Sequence, residues 1–225
     1  MPQLLAIYDM DKTITRRPTW TPFLAHAMRG RARWRMALLP AAGIAGLAYL
    51  VKAIDRAELK RATQRLLLGG ALAGERLDAL TAAFADHVVA TGVLDGARAR
   101  IAADRADGYR LVMATASYGF YAGAIAERLG FDAAIATEGA RDPAGALVPS
   151  IVGENCYGPA KLRMIETWLA ARGIDRGHAY VRFYSDHVSD APTFDWADEA
   201  FAVNAHGPLR RLAKAKGWPT LDWRT

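Results

Sequence analysis

The chain has 225 residues, 52% of them hydrophobic, with one cysteine and a formal net charge of +6. That length and apolar content suit one packed domain carrying an insertion, and they exclude a disordered or low-complexity chain. The single cysteine, Cys156, excludes an intramolecular disulfide and reads as a small packed residue in a turn rather than a thiol nucleophile.

The first element is an apolar run, Leu4-Leu5-Ala6-Ile7, followed directly by Tyr8-Asp9-Met10-Asp11-Lys12-Thr13-Ile14. Two carboxylates one residue apart at the end of a buried strand are costly to desolvate, and a divalent cation would offset that cost. Ligands bind at the carboxyl ends of strands in an open α/β sheet. A nucleophilic Asp9 and a proton-handling Asp11 could therefore sit together over a phosphoryl group. A strand ending in an Asx turn produces the same short pattern without any chemistry, so the later segments must decide.

From residue 15 to about residue 94 the pattern is helical, and its first part is basic. Residues 1–70 hold 12 Lys/Arg against 4 Asp/Glu, while residues 71–225 hold 17 against 19. Arg29, Arg31, Arg33 and Arg35 precede residues 36–51 (MALLPAAGIAGLAYLV), which carry no charge and are closed by Lys52. Spanning a bilayer takes roughly 20 apolar residues, and Pro40, Gly43 and Gly46 weaken the stretch as a helix. We expect a hydrophobic cap helix buried on its neighbours. The second reading is peripheral contact with an anionic membrane, arginines on the headgroups and an apolar face beneath them. The basic residues lack interleaved aromatics or a reading helix, so nucleic acid is not expected as a partner.

Beyond residue 95, helical stretches at 98–105, 120–129, 161–172 and 209–216 alternate with strands at 110–115, 133–137, 181–185 and 200–203. This predicts an α/β doubly wound parallel sheet, with residues 139–153 as an exposed hairpin or loop. The strand at 110–115 runs into Thr115-Ala116-Ser117, where hydroxyls and free N–H groups at a strand-to-helix turn suit phosphate. Lys161 follows Tyr157-Gly158-Pro159 and supplies a fixed positive charge. The strand at 181–185 delivers Asp186-His187-Val188-Ser189-Asp190, whose carboxylates resemble a cation site. Hard oxygen donors suit Mg²⁺, and the sequence has no His/Cys cluster with zinc spacing.

These four strand-end elements, in this order, resemble the haloacid dehalogenase-like (HAD) phosphohydrolases over residues 4–223. The closest likeness is to subfamily IB, the phosphoserine phosphatase-like branch, whose cap is inserted after the first strand. The resemblance implies a Rossmann-like core of residues 1–14 and 95–225 with a helical cap at 15–94. It implies Asp9 as the nucleophile that forms an aspartyl-phosphate and Asp11 as the general acid/base. Thr115, Ser117 and Lys161 would bind phosphate. Mg²⁺ would be held by Asp9, the Asp11 carbonyl and Asp186, with Asp190 as a supporting acid.

Two residues depart from the family pattern: Lys12 stands where glycine is usual, and His187 where a smaller residue is common. We expect Lys12 to be a solvated loop charge and His187 a polar loop residue packed beside the site. Phosphoserine phosphatases carry an acid shortly after the first motif, and residues 15–20 have none. Arg16 and Arg17 point instead to a substrate with a second anionic group. The expected substrate is a small or lipid-linked anionic phosphate ester; relatives act on phosphoserine, histidinol phosphate or phosphatidylglycerophosphate. The alternatives are a phosphotransferase, or a peripheral membrane-binding protein with an inactive fold, the latter disfavoured by intact Asp9, Asp11, Lys161 and Asp186. Met1-Pro2-Gln3 lacks a basic signal-peptide region, so a cytoplasmic location is expected.

Overall fold

The computed structural model describes residues 2–29 and 33–224; Arg31 lies outside them. Seven strands form one sheet in the order β4-β3-β2-β1-β5-β6-β7. They are β1 (Gln3–Tyr8), β2 (Arg110–Tyr118), β3 (Ala133–Arg141), β4 (Leu147–Val152), β5 (Ala179–Ser185), β6 (Glu199–Val203) and β7 (Thr220–Leu221). β1 is central because both its faces are apolar. Leu5 and Ile7 enter one core with Phe183, Ile165 and Trp168, while Ala6 and Tyr8 enter the other with Phe84, Tyr121 and Ile125. All neighbouring strands are parallel except β4, which pairs antiparallel with β3. The parallel sheet expected of the core is present, and β4 adds one antiparallel strand at its edge. The stretch expected as an exposed hairpin does fold back as one, but its return strand extends the sheet edge.

The helices after the first strand are α1 (Trp20–Met28), α2 (Leu39–Leu50), α3 (Arg56–Leu67) and α4 (Gly74–Thr91). The remainder are α5 (Asp95–Ala106), α6 (Gly119–Arg128), α7 (Pro159–Ala170), α8 (Ala191–Trp196) and α9 (Gly207–Lys216). α4, α5 and α6 cover the face containing Tyr8, and α7, α8 and α9 cover the other. From β1 the chain proceeds outward to β2 and β3 on one side and, later, to β5, β6 and β7 on the other. The strand order thus reverses beside β1, which opens a crevice at the carboxyl ends of β1, β2 and β5.

The helical insertion starts and finishes at one place. Thr15 bridges Val93, the Arg16 amide donates to Gly92 O at 2.8 Å, and the Leu94 amide donates to Ile14 O at 2.9 Å. Arg16 therefore belongs to this neck, and its guanidinium faces Asp95 at 3.7 Å.

α2 overturns the expectation of a buried cap helix: none of its residues is buried. Ala41, Ala42, Ala45 and Ala48 are half-buried, whereas Ile44, Leu47 and Leu50 are 70%, 60% and 75% exposed. The small side chains face inward and the large aliphatic ones face out. α3 is also inverted relative to a simple apolar stripe. Its Asp55/Glu58 capping box fixes the start of the helix, and the buried row that follows is Lys60, Thr63, Gln64 and Leu67.

Candidate active site

The register Tyr8↔Tyr184 between β1 and β5 sets the site. The two rings stack at 4.4 Å, and Tyr8 Oη donates to the buried Asp104 at 2.5 Å, so both strand ends are fixed from behind. The chain then leaves β1 with the Asp9 amide donating to Tyr184 O at 2.8 Å. Ile14 and Thr15 amides both donate to Met10 O, which curls the motif into a tight turn. At the turn Lys12 has φ 62°, the left-handed region. This is the physical reason glycine suits that position. Asn204 donates to Lys12 O at 2.7 Å and holds the turn in place. Lys12 is exposed, as expected of a loop charge, and it also lines the mouth of the cavity described below.

Thr13 pins the two carboxylate-bearing strand ends together. Its hydroxyl accepts from the Asp186 amide at 2.9 Å and lies 3.3 Å from Asp9 Oδ2 and 3.5 Å from Asp186 Oδ1. Lys161 arrives from the first turn of α7, which opens after Gly158 in a left-handed conformation with Pro159 at the helix start. Its ammonium is buried and donates to Asp9 Oδ1 at 2.8 Å and Asp190 Oδ2 at 2.6 Å. Ser185 also donates to Asp190 Oδ2, at 2.7 Å.

Asp11 faces away from that group. Oδ1 accepts from the Thr19 amide and hydroxyl, both at 2.8 Å, and Oδ2 accepts from Ser117 Oγ at 2.8 Å. Its carboxylate is thus held between the first helix of the insertion and the end of β2. Thr115 is buried on β2, its hydroxyl accepting from the Ser117 amide at 3.1 Å. Asp9, Asp11, Thr115, Ser117, Lys161, Asp186 and Asp190 all line a single cavity of about 340 Å³, a size that suits a small ligand.

Burial is the main influence raising the Asp9 carboxyl above its ordinary range; the Lys161 charge opposes it, and the Asp190 charge adds to it. Asp186 is pushed up to about 7, again by burial first and then by the Asp9 charge. Burial alone would lower Lys161, but the Asp190 and Asp9 carboxylates outweigh it and hold the ammonium above the usual lysine range. Two carboxylates thus share one buried lysine, with Asp186 close enough to feel their charge.

Among the described residues, no group of three or more His, Cys, Asp or Glu side chains is gathered to hold a metal on its own. Mg²⁺ does not need one, because it binds through one or two carboxylates and keeps other positions for substrate and water. Asp9 and Asp186 offer hard oxygens beside each other. Asp190 Oδ1 is buried with no hydrogen-bond partner among the described residues. The donor chemistry fits Mg²⁺.

His187 lines the cavity and is not free: its Nδ1 pairs with Ser189 Oγ at 2.8 Å. Cys156 is fully buried and its thiol is pushed up to about 12 by burial, which removes it from thiolate chemistry. Arg16 and Arg17 do not line the cavity. This corrects their expected role in substrate binding, since Arg16 is spent on the neck and Arg17 is exposed.

A further positive charge at the cavity comes from Lys60, which the sequence reading missed. Lys60 is buried on α3; its ammonium donates to Ala116 O and, at 2.8 Å, to Asn155 Oδ1. Thr13 and Thr19 were also missed as anchors. The signal for Lys60 was present in the helix phase, because the capping box at 55–58 puts Lys60 on the same stripe as Leu67.

The model of the haloacid dehalogenase-like hydrolases matches residues 6–195. The "Inhibition of morphological differentiation protein" of Streptomyces azureus is 27% identical over 226 residues, 99% of this chain and 79% of its own. A protein of unknown function from Bordetella pertussis Tohama I has a solved structure with a TM-score of 0.89 at 24% identity, covering 99% of this chain and 100% of that one. A substrate-bound phosphoserine phosphatase gives a TM-score of 0.64 at 18% identity, covering 100% and 94%. Those two likenesses speak for the fold, and the family match speaks for descent. The chain belongs to the haloacid dehalogenase-like hydrolases.

Proposed function

We propose that this protein is a Mg²⁺-dependent phosphomonoesterase whose core is residues 1–14 and 95–225 and whose cap is residues 15–94. The observation that carries the reading is the buried Lys161 ammonium clamped between Asp9 and Asp190, on the floor of a cavity that Thr115 and Asp186 also line. A buried lysine already paired with two acids receives a further anion only where more positive charge is supplied; Mg²⁺ would supply it, and Asp9, Asp186 and the Asp11 carbonyl would hold it.

Asp9 attacks phosphorus in line, forming an O–P bond as the ester oxygen leaves with a proton from Asp11. Water then attacks the aspartyl-phosphate, and Asp11 takes the proton back from it. Lys161 and the Thr115 hydroxyl carry the charge of the equatorial oxygens through both steps, where electrostatic stabilisation contributes most. Thr19 and Ser117 keep the Asp11 carboxyl aimed at the leaving group. The substrate we favour is an anionic ester, because Lys12 and Lys60 are the basic residues that line the cavity besides Lys161.

Phosphate release from a panel of soluble and lipid-linked monoesters, with Mg²⁺ and with a chelator, tests the proposal. Release that needs the metal supports it, and no release from any ester defeats it. Added alcohols that trap the phosphoryl group would assign a phosphotransferase instead.

A further inference from the structure

α2 is built the wrong way round for a helix that belongs only to its own fold. The helix packs on α3 with its alanines half-buried, and a stripe of large apolar side chains at helical spacing, Ile44, Leu47 and Leu50, faces outward, with exposed Met36 in the turn before the helix. A contiguous apolar surface of this kind marks an interaction site. Twelve residues span about 18 Å, too little to cross a bilayer, and no described helix is long and apolar enough to do so. Such a helix can lie flat in an interface.

The charge around it selects the partner. Residues 12–54 contain no Asp or Glu and eight Lys or Arg. Exposed Arg29 stands before the helix, and exposed Lys52 directly follows its end. A second copy of the chain would bring like charges together, whereas an anionic surface complements them. α2 also reaches the active site: Tyr49, in its last turn, lines the mouth of the cavity that holds Asp9.

We propose that α2 seats flat on an anionic lipid surface and that the enzyme hydrolyses a phosphomonoester headgroup presented by that surface. The second half of this inference rests on the phosphatase reading above; the first half does not. In the reaction the O–P bond to the lipid breaks, the phosphoryl group passes to Asp9, and the lipid alcohol leaves with the Asp11 proton. The lipid never leaves its leaflet, and Tyr49 marks where the headgroup enters.

The test uses phosphatidylcholine vesicles carrying phosphatidylglycerol, a phosphodiester, for binding, and vesicles carrying phosphatidic acid for turnover. The wild type should float with the phosphatidylglycerol vesicles and be released by salt. Ile44→Gln/Leu47→Gln/Leu50→Gln alters only exposed side chains and should fold. It should lose at least about tenfold in vesicle binding and in hydrolysis of vesicle phosphatidic acid, while p-nitrophenyl phosphate is hydrolysed at the wild-type rate. A wild type that ignores anionic vesicles at low salt overturns the proposal. A dimer that the triple variant disperses, without vesicle binding, overturns it in favour of a second copy. Vesicle binding with no hydrolysis of any ester would keep the docking surface and remove the phosphatase reading.

Discussion

The strand ends of the core and the helices of the insertion follow opposite rules. In the core, apolar side chains are inside, and the buried charges Lys161 and Asp104 are held by partners, Lys161 by two carboxylates and Asp104 by Tyr8 and Arg182. In the insertion, α3 buries a lysine, a threonine and a glutamine, while α2 displays leucine and isoleucine. The difference teaches where each region does its work. The core holds chemistry in place by neutralising charge, whereas the insertion directs polar groups at the core and an apolar face at something outside the chain.

The largest effect expected is on the core. Asp9→Asn should remove turnover by several orders of magnitude while circular dichroism stays native, because Asn is isosteric and Lys161 keeps Asp190. A folded Asp9→Asn enzyme with near-normal phosphate release would end the nucleophile assignment. Asp11→Asn should slow turnover by about 10² to 10⁴ and leave Mg²⁺ affinity, read by calorimetry, nearly unchanged, since its side chain bonds Thr19 and Ser117. Lost metal binding with intact turnover would reverse the roles.

The insertion should respond differently. Lys60→Met removes the ammonium that shares Ala116 O and Asn155 Oδ1 with the Thr137 hydroxyl, and should cost about 1–3 kcal/mol in urea unfolding. An unchanged midpoint would mean the polar face of α3 does not fasten it to the core. The smallest effect is at Lys12. Lys12→Gly relieves a left-handed lysine, offset by the chain entropy of glycine, and should raise stability by no more than about 1 kcal/mol. A loss of stability would show that the lysine side chain, and not the turn, is what matters there.

The core and its strand-end acids were legible because a strand buried on both faces reads as an unbroken apolar run, and the residue after it must be where the chain turns. Asp9 and Asp186 each sit at such a boundary, whereas Thr115 lies three residues before β2 ends at Tyr118. The antiparallel β4 was not legible, since a short edge strand with a proline and a serine has no run to detect. α2 was misread for a deeper reason. An uncharged stretch says that its side chains avoid water, but not whether this chain or another body removes them from it. Thr13 and Thr19 escaped notice because a hydroxyl that holds a carboxylate looks in sequence like any threonine in a turn.

The neck at Thr15 and Val93 has an evolutionary consequence. Because the chain enters and leaves the insertion through paired backbone, the sheet is insensitive to those parts of the loop that do not pack on it, α2 among them. Doubling its length would cost roughly 0.6 kcal/mol of closure entropy. Residues of α2 and its flanks, which contribute no buried side chain to the sheet, are therefore free to lengthen, shorten or change chemistry across descendants without disturbing Asp9. Substrate choice can diverge while the catalytic apparatus stays constant, and the paired backbone at the neck is the joint that separates the two histories.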